Sequence, residues 1–579
     1  MSFPWSKPLG AHLEADGLCS FRVWAPNAKD LRLVLGKRGN PHAILELQPA
    51  GYGCFELRAE APHGTDYTYQ SGTRRYPDPA SRWQPYGLRG PSRVYQPAPV
   101  EPFTPKPLSQ QVIYELHVGT FSKAGTFSSA IPYLSELAKL GITAVELMPV
   151  AEFPGARGWG YDGVYLNAAQ SSYGGPAGLQ QLIAAAHQAG LAVILDVVYN
   201  HVGASGVRAL EAFGPYFTNK YETVWGRALN CDDAECDPVR ELIMQSAEGW
   251  CKDFGVDGLR LDAVHAIQDS SPEHIVAAVS RRVHALAAEK LVIAESGLND
   301  PKVLRAETRG GWSADAAWAD DFHHALRVLL TGERDGYYAD YGTVAMLAKA
   351  HVRPYIFDGC YCPSRRRMFG APAADIPPEH FVVFDQNHDQ TGNRAFGDRL
   401  PAYARALAAF CTLLSPFTPM LFMGEEYGEN APFQFFCDHI DKRIADATRA
   451  GRRQEFASFA AFGQELPDPQ SPGTFNRSKL TRARDPLIAR LYQDLLKARE
   501  RLRYEDVGPI SFSEQQRWIR VTRGPFEMVY NFSKDGLELS APDARLSLAS
   551  TAGVSLTADL LALPPVSGAL LEAAAAVTR

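Results

Sequence analysis

The sequence predicts an α/β protein: a (β/α)₈ barrel of the TIM type with an N-terminal β-sandwich and a C-terminal antiparallel β-domain. Three observations lead to this fold. The chain of 579 residues is too long for one compact core, since a domain averages about 150 residues. Near-continuous apolar strands alternate with helices in the middle of the chain, as in a parallel sheet covered on both faces. Short strands between turns occupy both ends.

The first 105 residues are predicted to form the β-sandwich. Turn-rich connections such as Ala25-Pro26-Asn27 separate short runs of strand-forming residues, which is typical of antiparallel sheets. The predicted strands are Cys19–Trp24, Leu31–Leu35, Cys54–Arg58 and Tyr67–Gln70. The proline-rich stretch Pro97–Pro107 then predicts a linker. We therefore expect the first domain to span residues 1–105.

Strand and helix patterns alternate over residues 106–504, which we expect to form the barrel. Helix signals include Gly141 after the helix Ala130–Leu140, and the pair Asp237-Pro238 before the helix Val239–Phe254. The predicted strands are Val112–Val118, Ala144–Met148, Ala192–Val197, Gly258–Asp262, Leu291–Glu295, Ala317–Asp320, Phe381–Phe384 and Met420–Met423. Eight strands are the number that closes a (β/α)₈ barrel.

Strand patterns return after a last predicted helix, Leu487–Arg503. The segments Trp518–Thr522, Met528–Phe532 and Leu546–Leu548 predict a small antiparallel β-domain over residues 505–579. The alanine-rich end Ala569–Ala576 fits either a strand or a frayed helix, and the sequence leaves both open.

Charge and hydropathy exclude several classes of protein. The chain carries 58 Lys and Arg against 65 Asp and Glu, a net charge of −7, so no basic excess exists to bind nucleic acid. No run approaches the ~20 apolar residues that a membrane span needs. The opening segment Met1–His12 lacks the apolar stretch of a secretory signal, so we expect a cytoplasmic protein. The sequence leaves the oligomeric state open.

Cysteine and histidine positions predict neither a metal site nor a cofactor. Nine cysteines, an odd number without a CxxC pair, fit reduced thiols. Cys360 and Cys362 lack a second pair at zinc spacing, and the pair His323-His324 lacks companion ligands. The segment Gly158–Gly163 matches GxGxxG, but aromatic residues rather than a helix follow its first glycines, so we reject a dinucleotide site.

Aromatic residues are abundant, with 9 Trp, 24 Tyr and 29 Phe making up 11% of the chain. Aromatic rings bury well in any hydrophobic core. They also stack against the apolar faces of sugar rings. Composition leaves both interpretations open.

Acidic side chains lie at or just after the ends of four predicted strands. In a barrel of this type, catalytic groups lie at the C-terminal ends of the strands. The four segments are Asp196-Val-Val-Tyr-Asn-His201, Arg260-Leu-Asp262, Glu295 and Asn387-His388-Asp389. A single surface carboxylate is usually solvated, whereas four at equivalent positions of one barrel predict an active site.

The chemistry of these side chains favours cleavage of a glycosidic bond. Arg260 and Asp262 lie two residues apart on a strand and point to the same side, so the cation favours the charged carboxylate of a nucleophile. Glu295 follows an apolar strand, where partial burial favours the neutral carboxyl group of a proton donor. Two carboxyl groups in opposed environments are what this reaction needs. Asp196 is expected to orient its neighbours.

The four segments resemble the signature segments of the α-amylase family of glycoside hydrolases, and in order and spacing they cover the whole barrel. The N-terminal β-domain is similar to the glycogen-binding-like module that precedes branching and debranching members. The resemblance implies that Asp262 is the nucleophile, Glu295 the general acid/base and Asp389 the stabiliser of the transition state.

The resemblance also implies a set of residues that contact the substrate. Four match positions that surround the sugar in subsite −1: Tyr161, which stacks on the sugar, with His201, Arg260 and His388. Six others match segments that line the substrate cleft: His265, Asp269, Asp321, His323, His324 and Arg394.

A closer resemblance is to one subgroup of that family, whose members release trehalose from malto-oligosyltrehalose. It rests on the segments Asp262–Ile267, Asp320–His324, Gly332–Gly342, Asn387–Arg394 and Gly451–Leu480. The resemblance implies hydrolysis of the α-1,4 bond next to the terminal trehalose, with retention of configuration. Two alternatives stay open: a glucan branching or debranching enzyme, and a non-catalytic glucan-binding protein on an inactive barrel.

Overall fold

A computed structural model describes residues 3–37, 40–223, 226–457, 465–502 and 507–573. At its centre eight parallel strands close into a barrel, which we number β1 to β8 along the chain. They are Ile113–Leu116, Ala144–Leu147, Ala192–Val197, Gly258–Leu261, Leu291–Ala294, Ala316–Trp318, Phe381–Val383 and Thr418–Phe422. β1 closes the barrel by pairing with β8, with Ile113 opposite Met420. The predicted barrel is confirmed, with each strand inside or beside its predicted segment.

Helices surround the barrel and begin and end at local signals. The longer helices are Leu134–Leu140, Gly175–Gln188, Asp237–Asp253, Ile275–His284, Asp320–Thr331, Val344–Val352, Ala402–Leu413, Lys442–Glu455 and Pro486–Arg499. Shorter ones are Val118–Phe121, Phe127–Ala130, Arg208–Phe213, His388–Gly392 and Pro472–Arg477. Gly141 ends its helix in the left-handed conformation at φ 109°, and Asp485 caps another by accepting hydrogen bonds from the backbone of Leu487 and Ile488. No helix in the described ranges is long and apolar enough to cross a membrane.

The N-terminal part forms two antiparallel sheets around one apolar core. The first sheet has the order Gly10–Leu13, Cys19–Trp24, Cys54–Ala59 and Gln48–Gly51. The second has the order Asn40–Glu46, Arg32–Lys37, Asp66–Ser71 and Arg74–Tyr76, with Ser92–Arg93 beside the third strand. Phe21 of the first sheet and Tyr67 of the second are buried against each other, with ring centroids 5.1 Å apart. The predicted sandwich is therefore confirmed.

The C-terminal part is antiparallel, as predicted. A five-stranded sheet has the order Val507–Ser513, Trp518–Arg523, Phe526–Asn531, Ser567–Ala573 and Ala544–Ala549. A three-stranded sheet has the order Leu537–Ser540, Leu560–Leu563 and Ser555–Thr557. The alanine-rich end is a strand as far as Ala573, and residues 574–579 lie outside the described ranges, as does the predicted end of the last helix at residue 503.

Three hairpins extend from the barrel. They pair Ala151–Glu152 with Tyr165–Ala169, Phe217–Thr223 with Gly226–Leu229, and Cys360–Cys362 with Arg367–Phe369. The first follows β2, and the third lies in the connection from β6 to β7, after the helices Asp320–Thr331 and Val344–Val352. They build part of the wall around the site described next.

Candidate active site

The interior of the barrel changes from apolar to charged towards the C-terminal ends of its strands. Side chains alternate between the two sides of a strand, so residues two positions apart point the same way. The apolar cluster inside the barrel includes Ile113, Ile194 and Ile293. Two positions after each of these isoleucines the sequence has Glu115, Asp196 and Glu295, respectively. The strand pattern alone therefore aims three carboxyl groups at one end of the barrel.

Arg260 of β4 lies at the centre of this charged layer. Its Nη1 donates to both oxygens of Asp196 at 2.7 and 2.8 Å and to Oδ1 of Asp262 at 3.0 Å. Its Nη2 donates to Oε2 of Glu295 at 2.8 Å. The guanidinium lies over the ring of Trp318, 4.1 Å from the centroid, and is fully buried. One cation thus compensates three buried carboxyl groups and holds two of them, Asp262 and Glu295, side by side.

Asp262 and Glu295 each have a second partner and keep an accessible face. Nδ2 of Asn200 donates to Oδ2 of Asp262 at 2.7 Å, and the backbone nitrogen of Ala263 donates to Oε2 of Glu295 at 2.8 Å. Their side chains are 12% and 16% exposed. Within the described ranges no hydrogen bond reaches Oε1 of Glu295, so that oxygen is left for a substrate.

A hydrogen-bonded row runs from Asp196 to Glu115 through Tyr161 and His388. The hydroxyl of Tyr161 donates to Asp196 at 2.6 Å and accepts from Nε2 of His388 at 2.7 Å. Nδ1 of His388 donates to Oε1 of Glu115 at 2.5 Å. Burial lowers the pKa of His388, but the charges of Asp389 and Glu115 outweigh burial and raise that pKa to about 10. His388 is therefore a cation at neutral pH, and both ring nitrogens donate.

Asp389 lies beside this cation at the start of the helix His388–Gly392. Its Oδ1 is 3.5 Å from Nε2 of His388 and accepts from Nδ2 of Asn393 at 3.0 Å. Burial raises the pKa of Asp389; the charge of His388 opposes this rise and that of Glu295 adds to it. Its side chain is 34% exposed, more than those of Asp262 and Glu295. Of Asp262, Glu295 and Asp389, it is the one that lines the adjoining cavity.

A cavity of about 250 Å³ opens next to Asp389, on the side of the loops that follow β5, β6 and β7. Its lining is mostly polar and includes Asp320, His324, Tyr337, Arg365, Gln390 and Asn393. Side chains of this kind donate to and accept from hydroxyl groups. The cavity therefore suits a small molecule rich in hydroxyl groups.

The structure brings together most of the residues that the sequence assigned to subsite −1. Tyr161, Arg260 and His388 are in mutual contact with the carboxyl groups already described. His201 supports Tyr161 from behind, with Nε2 3.0 Å from the carbonyl oxygen of Tyr161, and its Nδ1 contacts Oδ1 of Asn200. His201 therefore contacts both Tyr161 and Asn200, and Asn200 in turn binds Asp262.

Three of the expected cleft residues line the cavity or lie directly behind one of its lining residues. His324 lines it between the rings of Tyr337 and Tyr341. Nδ1 of His265 accepts from the backbone nitrogen of Gly297, which also lines the cavity, at 3.2 Å.

Asp321 is the third of these residues. Its Oδ2 accepts from Nδ2 of Asn299 at 2.8 Å and from the backbone nitrogens of Ile356 at 2.7 Å and Phe357 at 3.0 Å. Its Oδ1 accepts from the hydroxyl of Tyr341. With both oxygens occupied by protein donors, Asp321 holds the wall of the cavity.

The structure does not bring Asp269, His323 or Arg394 into the cleft. The fully buried carboxylate of Asp269 accepts from Nη1 of Arg240 at 2.6 Å and from the backbone nitrogen of Ile275 at 2.6 Å. His323 is buried on the core side of its helix. The guanidinium of Arg394 forms ion pairs with the carboxylates of Glu333 and Asp398. Nε2 of His323 lies 3.1 Å from the hydroxyl of Tyr338. Arg394 donates to Glu333 at 2.8 and 3.0 Å and to Asp398 at 2.8 Å.

Sequence reasoning missed three polar residues of the site: Glu115, Asn200 and Asp320. Glu115 is the only charged residue of the strand Ile113–Leu116, and a lone acid inside an apolar strand is a signal that points to it. Asp320 lies two residues after the end of β6, so the strand-end rule that selected Asp262 and Glu295 applies to it as well. Burial raises the pKa of Asp320 to about 7, with further contributions from Glu295 and Asp389.

Within the residues described, no group of three or more His, Cys, Asp or Glu side chains is placed to hold a metal ion. The rings of His323 and His324 lie at 89° to each other with centroids 5.6 Å apart, and they point to different partners.

Comparison with known proteins identifies the class of enzyme to which the chain belongs. The model of the alpha amylase catalytic domain matches residues 115–212, and that of carbohydrate-binding module 48, the isoamylase N-terminal domain, matches residues 8–86. A crystal structure of a putative alpha amylase from Salmonella typhimurium is 34% identical with a TM-score of 0.89, and the match covers 98% of this chain and 100% of that one. With its closed barrel and paired carboxyl groups, the protein is a glycoside hydrolase of the α-amylase family.

More specifically, the chain belongs to the malto-oligosyltrehalose trehalohydrolase family. It is 44% identical over 539 residues to the malto-oligosyltrehalose trehalohydrolase of Saccharolobus solfataricus, covering 92% of this chain and 93% of that relative. It is 40% identical over 597 residues to the one of Rhizobium sp. strain M-11, covering 98% of this chain and all of that relative. The resemblance seen in the sequence is thus confirmed.

Proposed function

We propose that the enzyme hydrolyses the α-1,4 bond between a malto-oligosaccharide and its terminal trehalose unit, and releases trehalose. The observation that carries the proposal is the shared binding of Asp262 and Glu295 by the two terminal nitrogens of Arg260, at 3.0 and 2.8 Å. It places a nucleophile and a proton donor side by side at the accessible end of the barrel. The family to which the chain belongs supports the choice of substrate.

The first step forms a covalent intermediate. Glu295 protonates the glycosidic oxygen while a carboxylate oxygen of Asp262 attacks the anomeric carbon. The bond from that carbon to the leaving oxygen breaks, an ester bond to Asp262 forms, and trehalose departs with the proton. Asp389, the most exposed of the three carboxyl groups, is placed to stabilise the positive charge that develops on the sugar ring.

The second step returns the enzyme to its starting state. Glu295, now ionised, takes a proton from a water molecule, whose oxygen attacks the anomeric carbon and displaces Asp262. Two inversions give net retention, and this route needs the two carboxyl groups about 5–5.5 Å apart. Arg260 holds both groups in place, while Tyr161, His201 and His388 position them and the sugar.

We assign the acceptor side of the reaction to the 250 Å³ cavity beside Asp389. Its position next to the bond-forming groups and its polar lining support the binding of the leaving trehalose. Asp320 and His324 are the residues placed there to bind sugar hydroxyls. His265 and Asp321 support the wall from behind.

We also propose a cytoplasmic location for the enzyme. All nine cysteines lie in the described ranges, and all are free thiols. Free thiols are typical of proteins in reducing compartments, since disulfides form and persist in oxidising ones.

A product assay tests the proposed reaction. The enzyme is incubated with maltotriosyltrehalose, with maltopentaose and with amylose, and the products are separated. Release of trehalose from the first substrate, with little cleavage of the second, supports the proposal. Branched products from amylose would instead favour a branching enzyme, and binding without any product would favour a non-catalytic glucan-binding protein.

Substitutions connect the reaction to the site. Asp262→Asn keeps the size of the side chain and removes the nucleophile, so we expect kcat to fall about 10⁴-fold or more. The matched control is Asp375→Asn, because Asp375 pairs with Arg305 on the surface. Substantial turnover by Asp262→Asn would show that the nucleophile lies elsewhere.

A further inference from the structure

A large cavity lies between the N-terminal sandwich and the barrel. Its volume is about 1150 Å³, and among the described residues it shares none with the lining of the 250 Å³ cavity beside Asp389. It is bordered by the strand Arg74–Tyr76, the helix Arg208–Phe213 and the first turns of the helix Lys442–Glu455. We call it the arginine cavity, because five arginines line it: Arg74, Arg75, Arg89, Arg208 and Arg443.

The two acidic residues of its lining are already paired with arginines. Both oxygens of Asp441 accept from Nη2 of Arg89, at 2.6 and 2.7 Å. Oδ2 of Asp441 also accepts from the hydroxyl of Ser205 at 2.9 Å. Glu211 forms an ion pair with Arg227, which lies outside the lining. Neither carboxylate is therefore left to neutralise the remaining arginines of the cavity.

Four of the five arginines have no acidic partner. In the described part of the chain no ion pair reaches any of them, and all four side chains are exposed: Arg74, Arg75, Arg208 and Arg443. The chain as a whole has a net charge of −7, so this concentration of positive charge is a local feature. Like charges held around one cavity repel one another, and a bound anion removes that repulsion. The cavity therefore favours an anionic ligand.

Apolar side chains form another part of the lining. Tyr76 and Leu88 come from the N-terminal sandwich, and Val207 and Ile444 come from the barrel and its helices. The ring of Tyr76 packs against that of Phe213 with centroids 5.4 Å apart, which fixes its position. A ligand site combines apolar walls with a few polar groups that orient the ligand, and volumes of about 300–1,000 Å³ hold a drug-sized molecule. The arginine cavity therefore has room for a molecule much larger than a single phosphate.

We propose that the arginine cavity is a binding site for a nucleoside diphosphate. The planar guanidinium group binds two phosphate oxygens at once, so several guanidinium groups around one cavity select a phosphorylated ligand over a neutral sugar. One phosphate group carries a charge of roughly −1.5 to −2, and two groups balance four unpaired arginines better than one does. The apolar residues, Tyr76 among them, pack against the base and the ribose.

The cavity binds this ligand without converting it. The cleavage of a glycosidic bond uses two carboxyl groups with accessible oxygens, as in Asp262 and Glu295. The two carboxylates at the arginine cavity, those of Asp441 and Glu211, are instead held in ion pairs. The ligand is therefore a bound effector or partner molecule rather than a second substrate.

Isothermal titration calorimetry of the full-length enzyme with ADP tests the proposal. We expect saturable binding of one ADP per chain, weaker binding of inorganic phosphate, and no binding of adenosine, which lacks the phosphate groups. Because the arginines are exposed, the affinity for ADP should fall as the salt concentration rises. No glucan is present in this measurement, so its failure is separate from failure to release trehalose in the product assay.

Variants of the cavity show whether ADP binds there. Arg208→Ala and Arg443→Ala should each raise the dissociation constant for ADP about tenfold, since each removes a charge-assisted hydrogen-bond donor. Arg443→Lys keeps the charge but loses the planar fork, so its dissociation constant should lie in between. The matched control is Arg353→Ala, because Arg353 is also exposed and without an ion pair in the described ranges but lies outside the cavity. Thermal melting confirms that each variant is folded.

Three results would overturn the proposal. One is the lack of saturable binding at ADP concentrations up to about 5 mM, which corresponds to negligible affinity. Another is a dissociation constant that is the same in Arg208→Ala, Arg443→Ala and the control. The third is displacement of ADP by maltotetraose from Asp262→Asn, which does not consume the sugar. That result would place ADP in the path of the glucan rather than in a separate site.

Discussion

Glu115 binds His388 through both of its carboxylate oxygens, although the two residues lie 273 positions apart in the chain. Oε1 is 2.5 Å from Nδ1 of the ring, and Oε2 accepts from the backbone nitrogen of His388 at 2.8 Å. Both side chains are almost completely buried. This pair places a fixed positive charge between Tyr161 and Asp389, so it controls the electrostatics of the site from the first strand of the barrel.

The first prediction concerns the pH dependence of stability. The pKa of His388 is about 10 in the folded protein, above its ordinary value of 6.5. The folded state therefore retains a proton that the unfolded state has lost, so the stabilisation is full below pH 6.5 and is lost as pH rises to about 10. We expect Glu115→Gln to destabilise the protein by about 3–5 kcal/mol at pH 6 and by much less at pH 10.

Unfolding in urea at pH 6, 8 and 10 measures this effect in the wild type and in Glu115→Gln. The difference in unfolding free energy between the two proteins should narrow steadily as pH rises. A difference that stays constant over this range would show that the charge of His388 does not depend on Glu115.

The second prediction concerns Arg260→Lys. A lysine has a single ammonium group and cannot replace the planar fork that binds Asp196, Asp262 and Glu295 together. We expect kcat to fall about 10²–10³-fold, and stability to fall by about 3–5 kcal/mol because one ammonium group leaves at least one of the three carboxyl groups without its donor. Arg305→Lys is the control, since Arg305 forms a partly exposed pair with Asp375. Turnover within threefold of the wild type in Arg260→Lys would contradict the assigned role.

The third prediction concerns Gly160→Ala, next to Tyr161. Gly160 has a φ of +108°, and a Cβ atom there would lie 2.0 Å from the carbonyl oxygen of Pro149. The backbone must shift and take the Tyr161 hydroxyl away from its partners. We expect a loss of about 1–3 kcal/mol of stability together with a lower kcat.

A second glycine provides the control for this substitution. Gly249 lies inside the helix Asp237–Asp253, and nothing lies within 4 Å of the position that a Cβ atom would take. Gly249→Ala should raise stability by about 0.5–1 kcal/mol and leave kcat unchanged. If Gly160→Ala and Gly249→Ala behave alike in thermal melting and kinetics, the geometry described for Tyr161 is wrong.

The fourth prediction separates structural from substrate contacts at Asp269. Its carboxylate is fully buried between Arg240 and the start of the helix Ile275–His284. We expect Asp269→Asn to lower the melting temperature while KM for maltotriosyltrehalose stays within twofold of the wild type. A tenfold rise in KM without loss of stability would place Asp269 in the cleft after all.

Neighbouring residues of one segment show how far local sequence can predict a site. The family resemblance assigns both His323 and His324 to the cleft, yet successive residues on a helix point about 100° apart. His324 lines the cavity, and His323 is buried towards the core. The sequence locates this segment beside the site, but which face of the helix is turned to the cavity depends on how the helix packs on the barrel.

The alternation of apolar strands with helices predicted the barrel, and the acidic residues at the strand ends predicted where its carboxyl groups lie. Side-chain direction repeats every two residues on a strand, and strand ends share one rim, so both are local properties. The contacts that complete the site are not local. Glu115 meets His388, and Asn200 meets Asp262, only because barrel closure and loop packing bring distant segments together. Which residues bind one another across the barrel is therefore determined only by the tertiary structure.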